Sequence, residues 1–224
     1  MSRDASKKLR RRGEAKEAGE TRRLILQAAQ HLFAAHGYRA VTTRQIAESC
    51  GITQPALYKH FADKQEVYTS MLLLEVAQVK TALERIVQRE IPVAERLRLA
   101  ALYLLNNTHH DIGMMTHDMS NELRKEAQEM IERAFIEGLV QPLASLFENG
   151  MHRGLIRSSS QGGVSPMMTA LLFLNSIDFF ASQSSYELVS EARQSVAEQA
   201  RLIVQLFLHG VTQESQQKEN KNVL

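Results

Sequence analysis

The fold is decided by GITQPALYKHF, residues 51–61, which combines a glycine, a proline and a run of aromatic and basic residues. Pro55 is typical of a first helical turn, because the amide that proline lacks would have no acceptor there. On a helical wheel with Leu57 pointing inward, Phe61 returns to about 40° from it. Pro55 and Lys59 point away, at about 160° and 200°. The stretch therefore predicts a short helix with an apolar side and a polar side.

A second short helix precedes this one. Thr42 and Gln45 have the spacing of a capping box, and Gly51 readily takes the positive φ of a tight turn. Ala47, four residues before the glycine, allows two helices to approach closely. Leu57, six residues after the glycine, fills the angle between them. Two short helices joined in this way predict a helix-turn-helix.

Lys64 lies at the start of a further helix, which opens with Asp63 and Glu66. A cation at this end opposes the helix dipole at a cost of about 0.3–1 kcal/mol. A phosphate attracted to both the helix N-terminus and the ammonium would offset that cost. The alternative is a solvated lysine beside Asp63, and both interpretations remain open.

Helical spacing dominates the rest of the chain, and no stretch alternates as a strand does. The first helix follows Thr21, ends at Gly37 and has one apolar stripe: Ile25, Ala28, Ala29, Leu32 and Phe33. Later helices are predicted at about 63–88, 94–108, 110–117, 120–153, 166–182 and 187–209, with a break in the long one at Gly138 and Pro142. The fold class is therefore predicted to be all-α.

Positive charge is concentrated at the N-terminus. Residues 1–60 carry 12 Lys/Arg against 5 Asp/Glu, whereas residues 61–224 carry 15 against 20. A local excess of this kind favours a polyanionic partner for the N-terminal quarter. Residues 1–19 are predicted to be a disordered basic arm, which either contacts phosphate or is solvated. Residues 211–224 are predicted to be a polar, disordered tail.

Several classes of protein are disfavoured by the composition. The single cysteine, Cys50, excludes a disulfide framework and a cysteine-based zinc site, and it is expected to pack as a small apolar residue. No signal peptide is visible, and the apolar stretch 167–181 is too short to span a bilayer, so a cytoplasmic protein without a membrane partner is expected. The common hydrolase, metalloprotease and nucleotide-binding motifs are missing, and no enzyme is predicted.

The residues around the opening stretch resemble a known family. The pattern T-T-x-x-I-A-x-x-x-G-[IV]-[ST]-x-x-x-L-Y-x-[HY]-F-x-x-K is present from Thr42 to Lys64. It resembles the DNA-binding domain of the TetR family of bacterial transcriptional repressors, over about residues 20–68. The resemblance implies a homodimer of about nine helices per subunit that binds a palindromic operator and is released by a small-molecule effector. Residues 20–68 would form a three-helix helix-turn-helix domain, and 69–210 a larger effector-binding and dimerisation domain.

Site residues follow from the same resemblance. Thr43 and Arg44 would contact phosphate from the second helix, with Thr42 beside them at its cap. The third helix would approach base edges with Thr53, Gln54, Pro55 and Lys59. Tyr58, His60 and Lys64 would hold the DNA backbone.

The C-terminal domain is predicted to bind a small apolar or amphipathic effector, and no cofactor is expected. Seven of the nine methionines lie from Met114 onward, and flexible thioethers suit an adaptable pocket, although they also serve as ordinary core residues. The predicted pocket residues are His110, Met114, Met115, His117, Met119, Phe135, Phe173 and Ile177.

One cluster suggests an alternative to an organic effector. His109, His110 and His117, with two neighbouring aspartates, would make the protein a metal-responsive sensor of the same fold if they converged on one ion. Lining of an organic-ligand pocket, or an exposed position, is the simpler interpretation.

The last two helices are the most apolar in the chain, and such surfaces are usually covered. The resemblance implies that they form a four-helix dimer interface. The predicted interface residues are Leu171, Leu174, Asp178, Val196, Ala200, Ile203 and Phe207.

Overall fold

The computed structural model of the chain describes residues 3–107, 121–182 and 195–209. For residues 3–15 and 182 it describes the backbone only. Throughout these ranges the regular structure is helical, which confirms the predicted all-α class. The chain divides into two compact units: unit 1 is Met1–Ala82 with Thr108–Val140, and unit 2 is Leu83–Asn107 with Gln141–Leu224.

The N-terminal helices are α1 (Arg3–Ala40), α2 (Thr43–Ser49), α3 (Gln54–Tyr58) and α4 (Lys64–Val87). They are followed by α5 (Val93–Asn107), α6 (Lys125–Phe135), a π-helical segment (Ile136–Val140) and α7 (Gln141–His152). A 3₁₀ turn (Ser159–Gln161), α8 (Pro166–Ser182) and α9 (Val196–His209) complete the described part of the chain. None of the described helices is both long enough and apolar enough to cross a membrane.

Helix α1 differs from its prediction at one end and agrees with it at the other. It begins at Arg3, so the segment predicted to be a disordered arm is helical in the structure. Near its C-terminal end the helix is interrupted at Gly37, whose φ of 74° is the positive value that a glycine tolerates. The predicted break at Gly37 is therefore confirmed, and the predicted start is wrong.

The core of unit 1 is built around three aromatic rings. Phe33 and Tyr38 from α1 pack with Tyr68 from α4, with ring centroids 4.9–5.8 Å apart. Leu123, Ala127 and Ile131 are buried in the same cluster. Residues beyond 120 thus belong to the N-terminal unit, and the predicted boundary between residues 68 and 69 is not where the two compact units meet. Sequence periodicity indicates which side of a helix is apolar, but it does not indicate which other helix packs against that side.

The predicted break in the long helix is present as the π-helical segment. Pro142 lies just after it, and a proline clashes with the carbonyl four residues earlier in a regular helix. Gly138 lies against α4: a Cβ built at this position would lie 2.7 Å from Cγ1 of Val76. The glycine therefore allows a close approach between two elements of unit 1.

Unit 2 has an aromatic cluster and one buried cation. Phe147, Phe173 and Phe207, from α7, α8 and α9, have ring centroids 5.3–5.9 Å apart. Arg96 is buried on α5, and its guanidinium donates to the carbonyl of Val87 at 2.9 Å. It also donates to Oδ1 of Asn149 at 2.9 Å. The cation thereby caps the C-terminal end of α4, where the helix dipole favours it.

Candidate DNA-binding interface

The turn between α2 and α3 has the geometry that the sequence predicted. The amide of Gln45 donates to Oγ1 of Thr42 at 3.2 Å, and the Thr42 amide donates to Oε1 of Gln45 at 2.8 Å. Gly51 has φ 68°, and the amide of Ile52 then donates to the carbonyl of Ala47 at 3.0 Å. The reciprocal cap and the positive φ fix where α2 starts and where the chain turns into α3.

Helix α3 has a buried side and an outward side. Leu57 and Phe61 are inaccessible to solvent, as the helical wheel predicted. Pro55 and Lys59 are exposed, and 47% of the surface of Tyr58 is accessible. Gln54 and His60 are half-buried beside them. The short helix therefore presents a polar, cationic and aromatic surface while its other side fills the core.

The outward tyrosine is held by a polar cluster that joins α2 to α3. Its hydroxyl lies 3.1 Å from the hydroxyl of Thr43. Nε2 of Gln54 donates to Oγ1 of Thr43 at 2.9 Å and lies 3.4 Å from the Tyr58 hydroxyl. Thr43 itself is buried, so its hydroxyl orients Tyr58 instead of facing solvent. The structure thus gives Thr43 an orienting contact within the protein, and the phosphate contact implied by the resemblance stays a prediction.

The other caps and charges of the interface are exposed. Oγ1 of Thr53 accepts the amide of Ala56 at 3.3 Å, which makes Thr53 the N-cap of α3. Nε of Arg44 donates to Oε1 of Glu48 at 2.8 Å, and this hydrogen bond raises the pKa of the Arg44 guanidinium. Pairs this exposed contribute little to stability. Arg44 therefore loses little when it exchanges the carboxylate for another anion.

Lys64 has a different environment from the one predicted. Its ammonium donates to the carbonyls of Tyr38 at 2.8 Å and Val41 at 3.1 Å, and it lies 4.0 Å above the centre of the Tyr38 ring. Two carbonyls and an aromatic face compensate the cation at the helix N-terminus. These contacts tie α4 to the end of α1, and the predicted phosphate contact of Lys64 stays a prediction.

Arg22 was not among the site residues predicted from the sequence. Its Nη1 donates to the carbonyl of His60 at 2.7 Å, Nη2 donates to Oγ of Ser70 at 3.0 Å, and the guanidinium lies 4.0 Å from the centre of the Phe61 ring. The residue holds α1 against the end of α3. One signal was available, because Arg22 continues the apolar stripe of α1 three residues before Ile25, where a cation needs a partner.

Cys50 packs at the end of α2, as expected. Its Sγ lies 3.7 Å from the carbonyl of Leu24, and partial burial raises the pKa of the thiol. A raised pKa disfavours the reactive thiolate. The cysteine therefore serves the contact between α1 and α2.

The predicted effector residues are only partly within the described ranges. His109, His110, Met114, Met115, His117 and Met119 lie outside them, and so does the proposed metal cluster. Phe135 is half-buried in unit 1, whereas Phe173 and Ile177 are core residues of unit 2. A groove of about 290 Å³ lies in unit 1. It is lined by residues of α1 and α4: Arg23, Leu26, Gln27, Gln30, Met71, Leu74, Glu75 and Gln78.

Three of the seven predicted dimer residues are buried within unit 2, and the other four are half-buried. Ala200 and Ile203 have no accessible surface, Leu174 is buried, and Phe207 packs against Phe147. Leu171, Asp178 and Val196 are half-buried. The three buried residues are covered by their own chain, whereas the four half-buried ones keep accessible surface, and the predicted interface stays a prediction. The exposed apolar side of α8 consists of Met168, Leu172 and Phe179, next to Asn175.

Comparisons with known proteins agree with this geometry. The family model described as "Bacterial regulatory proteins, tetR family" matches residues 25–71, which contain α2, α3 and the first part of α4. The HTH-type transcriptional activator FasR of Mycolicibacterium smegmatis is 29% identical over 119 residues, covering 48% of this chain and 54% of FasR. The chain spans about half the length of the curated relatives it matches.

Solved structures share the fold over most of the chain. AibR in complex with isovaleryl coenzyme A and operator DNA superposes with a TM-score of 0.65 at 21% identity, covering 84% of this chain and 98% of AibR. The transcriptional regulator FadR from Bacillus subtilis in complex with stearoyl-CoA superposes with a TM-score of 0.66 at 16% identity, also covering 84% and 98%. Residues 25–71 are therefore similar to the DNA-binding domain of the tetR family of bacterial regulatory proteins, and the chain shares its fold with solved regulators.

Proposed function

We propose that the protein is a ligand-responsive transcriptional regulator that binds operator DNA as a homodimer in the bacterial cytoplasm. One observation carries this proposal: α3 exposes Tyr58 and Lys59 on a helix whose orientation is fixed by Thr43 and by buried Leu57. A rigid helix with an outward polar side fits the major groove, which is about 12 Å wide. Charge supports the same partner, because residues 1–60 are strongly basic.

The residues of the interface divide into two roles. Gln54, Pro55 and Lys59 lie toward the outward side of α3 and would approach base edges, with Thr53 at the cap that starts the helix. Arg44 and Tyr58 would contact the phosphates on either side of the groove. Phosphate contacts fix the position of the helix, and base contacts select the sequence. Thr43, His60 and Lys64 would support these residues from within the domain.

We propose that two subunits pair through the exposed side of α8. Met168, Leu172 and Phe179 lie along one face of that helix, and Leu206 is exposed on α9. A self-complementary patch of this kind forms an isologous interface with two-fold symmetry. The symmetry then requires a palindromic operator, with half-site centres about 34–36 Å apart or somewhat more.

The effector proposed here is a small apolar or amphipathic molecule, and acyl-coenzyme A thioesters are the first candidates. Two structures with the same fold, AibR and FadR, were solved with isovaleryl coenzyme A and stearoyl-CoA. A coupling free energy of about 1–3 kcal/mol between effector and DNA would change operator affinity about 5–150-fold. A melting-temperature series with acyl-CoAs of increasing length, with free CoA as the control, tests this choice.

We propose repression as the outcome of DNA binding. The experiment begins with the DNA upstream of the protein's own gene: the purified protein should shift this fragment, and the effector identified by melting temperature should release it. Deletion of the gene should raise transcription from the bound promoter. A fall in transcription would instead assign the role of activator, as in the name of FasR. Failure to bind any upstream fragment would contradict the proposal.

A further inference from the structure

The first part of α1 carries the highest concentration of positive charge in the chain. Residues 3–12 contain six Lys/Arg and one Asp, although the whole chain has a net charge of only +2. Five basic residues occupy six successive positions: Lys7, Lys8, Arg10, Arg11 and Arg12. Because successive helical positions differ by about 100°, a helical wheel spreads these five positions over about 200° of the circumference. The positive charge of the segment therefore covers slightly more than half of the helix.

This charged segment is continuous with the helix that supports α3. Arg22 binds the carbonyl of His60 at 2.7 Å, directly after α3, and its guanidinium lies over Phe61. Residues 16–20 are exposed, so the helix leaves the packed part of unit 1 just before Thr21. At a rise of 1.5 Å per residue, Lys7 lies about 22 Å along the axis from Arg22. The basic segment thus projects from a point beside the proposed DNA-reading helix.

We propose that residues 3–12 form a second DNA contact, in which a basic helix binds phosphates next to the half-site occupied by α3. This inference rests on the proposed function. A distance of about 22 Å corresponds to about six base pairs at 3.4 Å per phosphate along one strand. Contacts to phosphate carry no sequence information, so the segment contributes affinity and salt dependence and leaves base selection to α3.

A duplex fits this helix better than an anionic membrane surface does. Helices that lie in a membrane interface need an apolar face rich in Trp, Phe or Leu. Residues 3–20 contain one large apolar residue, Leu9, together with three alanines. The segment can offer charge to phosphates but has almost nothing to insert among acyl chains.

Two glycines weaken the helix that joins the basic segment to the packed part of unit 1. Gly13 and Gly19 lie in the interior of α1, where glycine costs more backbone entropy than alanine. A Cβ built at Gly19 meets nothing within 4 Å, so alanine fits there without strain. A helix ordered before binding loses less entropy on the DNA. Gly19→Ala is therefore expected to tighten DNA binding by up to about five-fold.

The test uses the full chain and a charge-matched control. In the arm variant, glutamine, a good helix former, replaces five of the six basic residues of 3–12: Lys7, Lys8, Arg10, Arg11 and Arg12. In the control, glutamine replaces five exposed cations elsewhere: Lys125, Arg133, Arg153, Arg157 and Arg201. Affinity for the DNA upstream of the protein's own gene is measured over a range of salt concentrations. Each lost phosphate contact lowers the slope of log affinity against log salt by about 0.9.

The expected result is a slope smaller by about two or more in the arm variant and nearly unchanged in the control. Hydroxyl-radical footprints should lose about six base pairs of protection beside each half-site and keep the central protection. Gly19→Ala should tighten binding in the wild-type chain and have no effect in the arm variant.

Unchanged slope and footprint in the arm variant would overturn the inference, and so would an equal loss in the control. Binding of the wild-type chain, but not the arm variant, to phosphatidylserine vesicles together with an unchanged DNA slope would assign the segment to a membrane. A wild-type chain that binds no upstream DNA would overturn the proposed function as well. If the double variant Tyr58→Ala with Lys59→Ala loses DNA binding while the arm variant binds like the wild-type chain, only this inference fails.

Discussion

The hydroxyl groups of Tyr58 and Thr43 lie 3.1 Å apart, so the exposed aromatic ring of α3 is oriented by a buried threonine on the preceding helix. This contact joins α2 to α3 at the side that is proposed to meet DNA. Two kinds of residue are therefore distinguished: residues proposed to touch DNA, and residues that hold those side chains in place.

Thr43→Val removes the hydroxyl and keeps the shape of the side chain. We expect DNA affinity to fall about 2–13-fold, because Tyr58 loses a hydrogen bond of about 0.5–1.5 kcal/mol that orients it. The free energy of unfolding should change by no more than about this amount. Thr43→Ser should retain affinity. The double variant with Tyr58→Phe should bind no more weakly than Tyr58→Phe alone, and full additivity would contradict the orienting role.

Lys64→Met and Lys59→Met form a matched pair. We expect Lys64→Met to lower the free energy of unfolding by about 1.5–3 kcal/mol, because two carbonyls lose a charged donor. Its slope of log affinity against log salt should not change. Lys59→Met should leave stability unchanged and weaken DNA binding by about 1–3 kcal/mol, the value of a contact to a base edge. Urea unfolding and salt-dependent DNA binding measure both effects. If Lys64→Met weakened DNA binding and lowered the salt slope without loss of stability, Lys64 would be a phosphate contact.

Gly138→Ala should destabilise unit 1. The added methyl would lie 2.7 Å from Cγ1 of Val76, whose β-branched side chain has little freedom to move. Overpacking of this kind costs about 1–3 kcal/mol. Val76→Ala should recover most of the loss, and urea unfolding of the single and double variants measures the coupling. Equal losses with and without Val76→Ala would show that the methyl group does not meet this side chain.

Leu172→Glu should disrupt the proposed dimer. Leu172 is exposed on α8 in the single chain, so a carboxylate there leaves the fold intact and is buried only when two subunits meet. We expect light scattering to show a monomer and DNA affinity to fall strongly. Met130→Glu, at an exposed apolar residue of α6, is the control and should remain dimeric. A dimer that survives Leu172→Glu would place the interface elsewhere.

Local chemistry explains what the sequence predicted well. The capping box at Thr42, the positive φ of Gly51 and the inward positions of Leu57 and Phe61 depend on residues a few positions apart. Such features follow from helix periodicity and turn geometry without knowledge of the tertiary fold.

Long-range packing explains what the sequence did not predict. Lys64 binds carbonyls at the end of α1, more than twenty residues away in the chain, so its partner could not be read from its neighbours. Ala200 and Ile203 lie on an apolar stripe, but periodicity does not say whether the same chain or a second copy covers it. The start of α1 was placed too late, because a run of basic residues is compatible with both a helix and a disordered arm.

The central claim is that the outward side of α3 binds DNA. The most direct test uses a double variant that carries both Tyr58→Ala and Lys59→Ala. Its control is a double variant with Lys125→Ala and Met130→Ala, which changes a lysine and a large exposed side chain on α6. The fragment upstream of the gene is titrated at physiological salt. We predict at least about tenfold weaker binding for the α3 variant, since each contact contributes about 1–3 kcal/mol, and unchanged binding for the control. Equal affinity of the α3 variant and the wild-type protein would contradict the account.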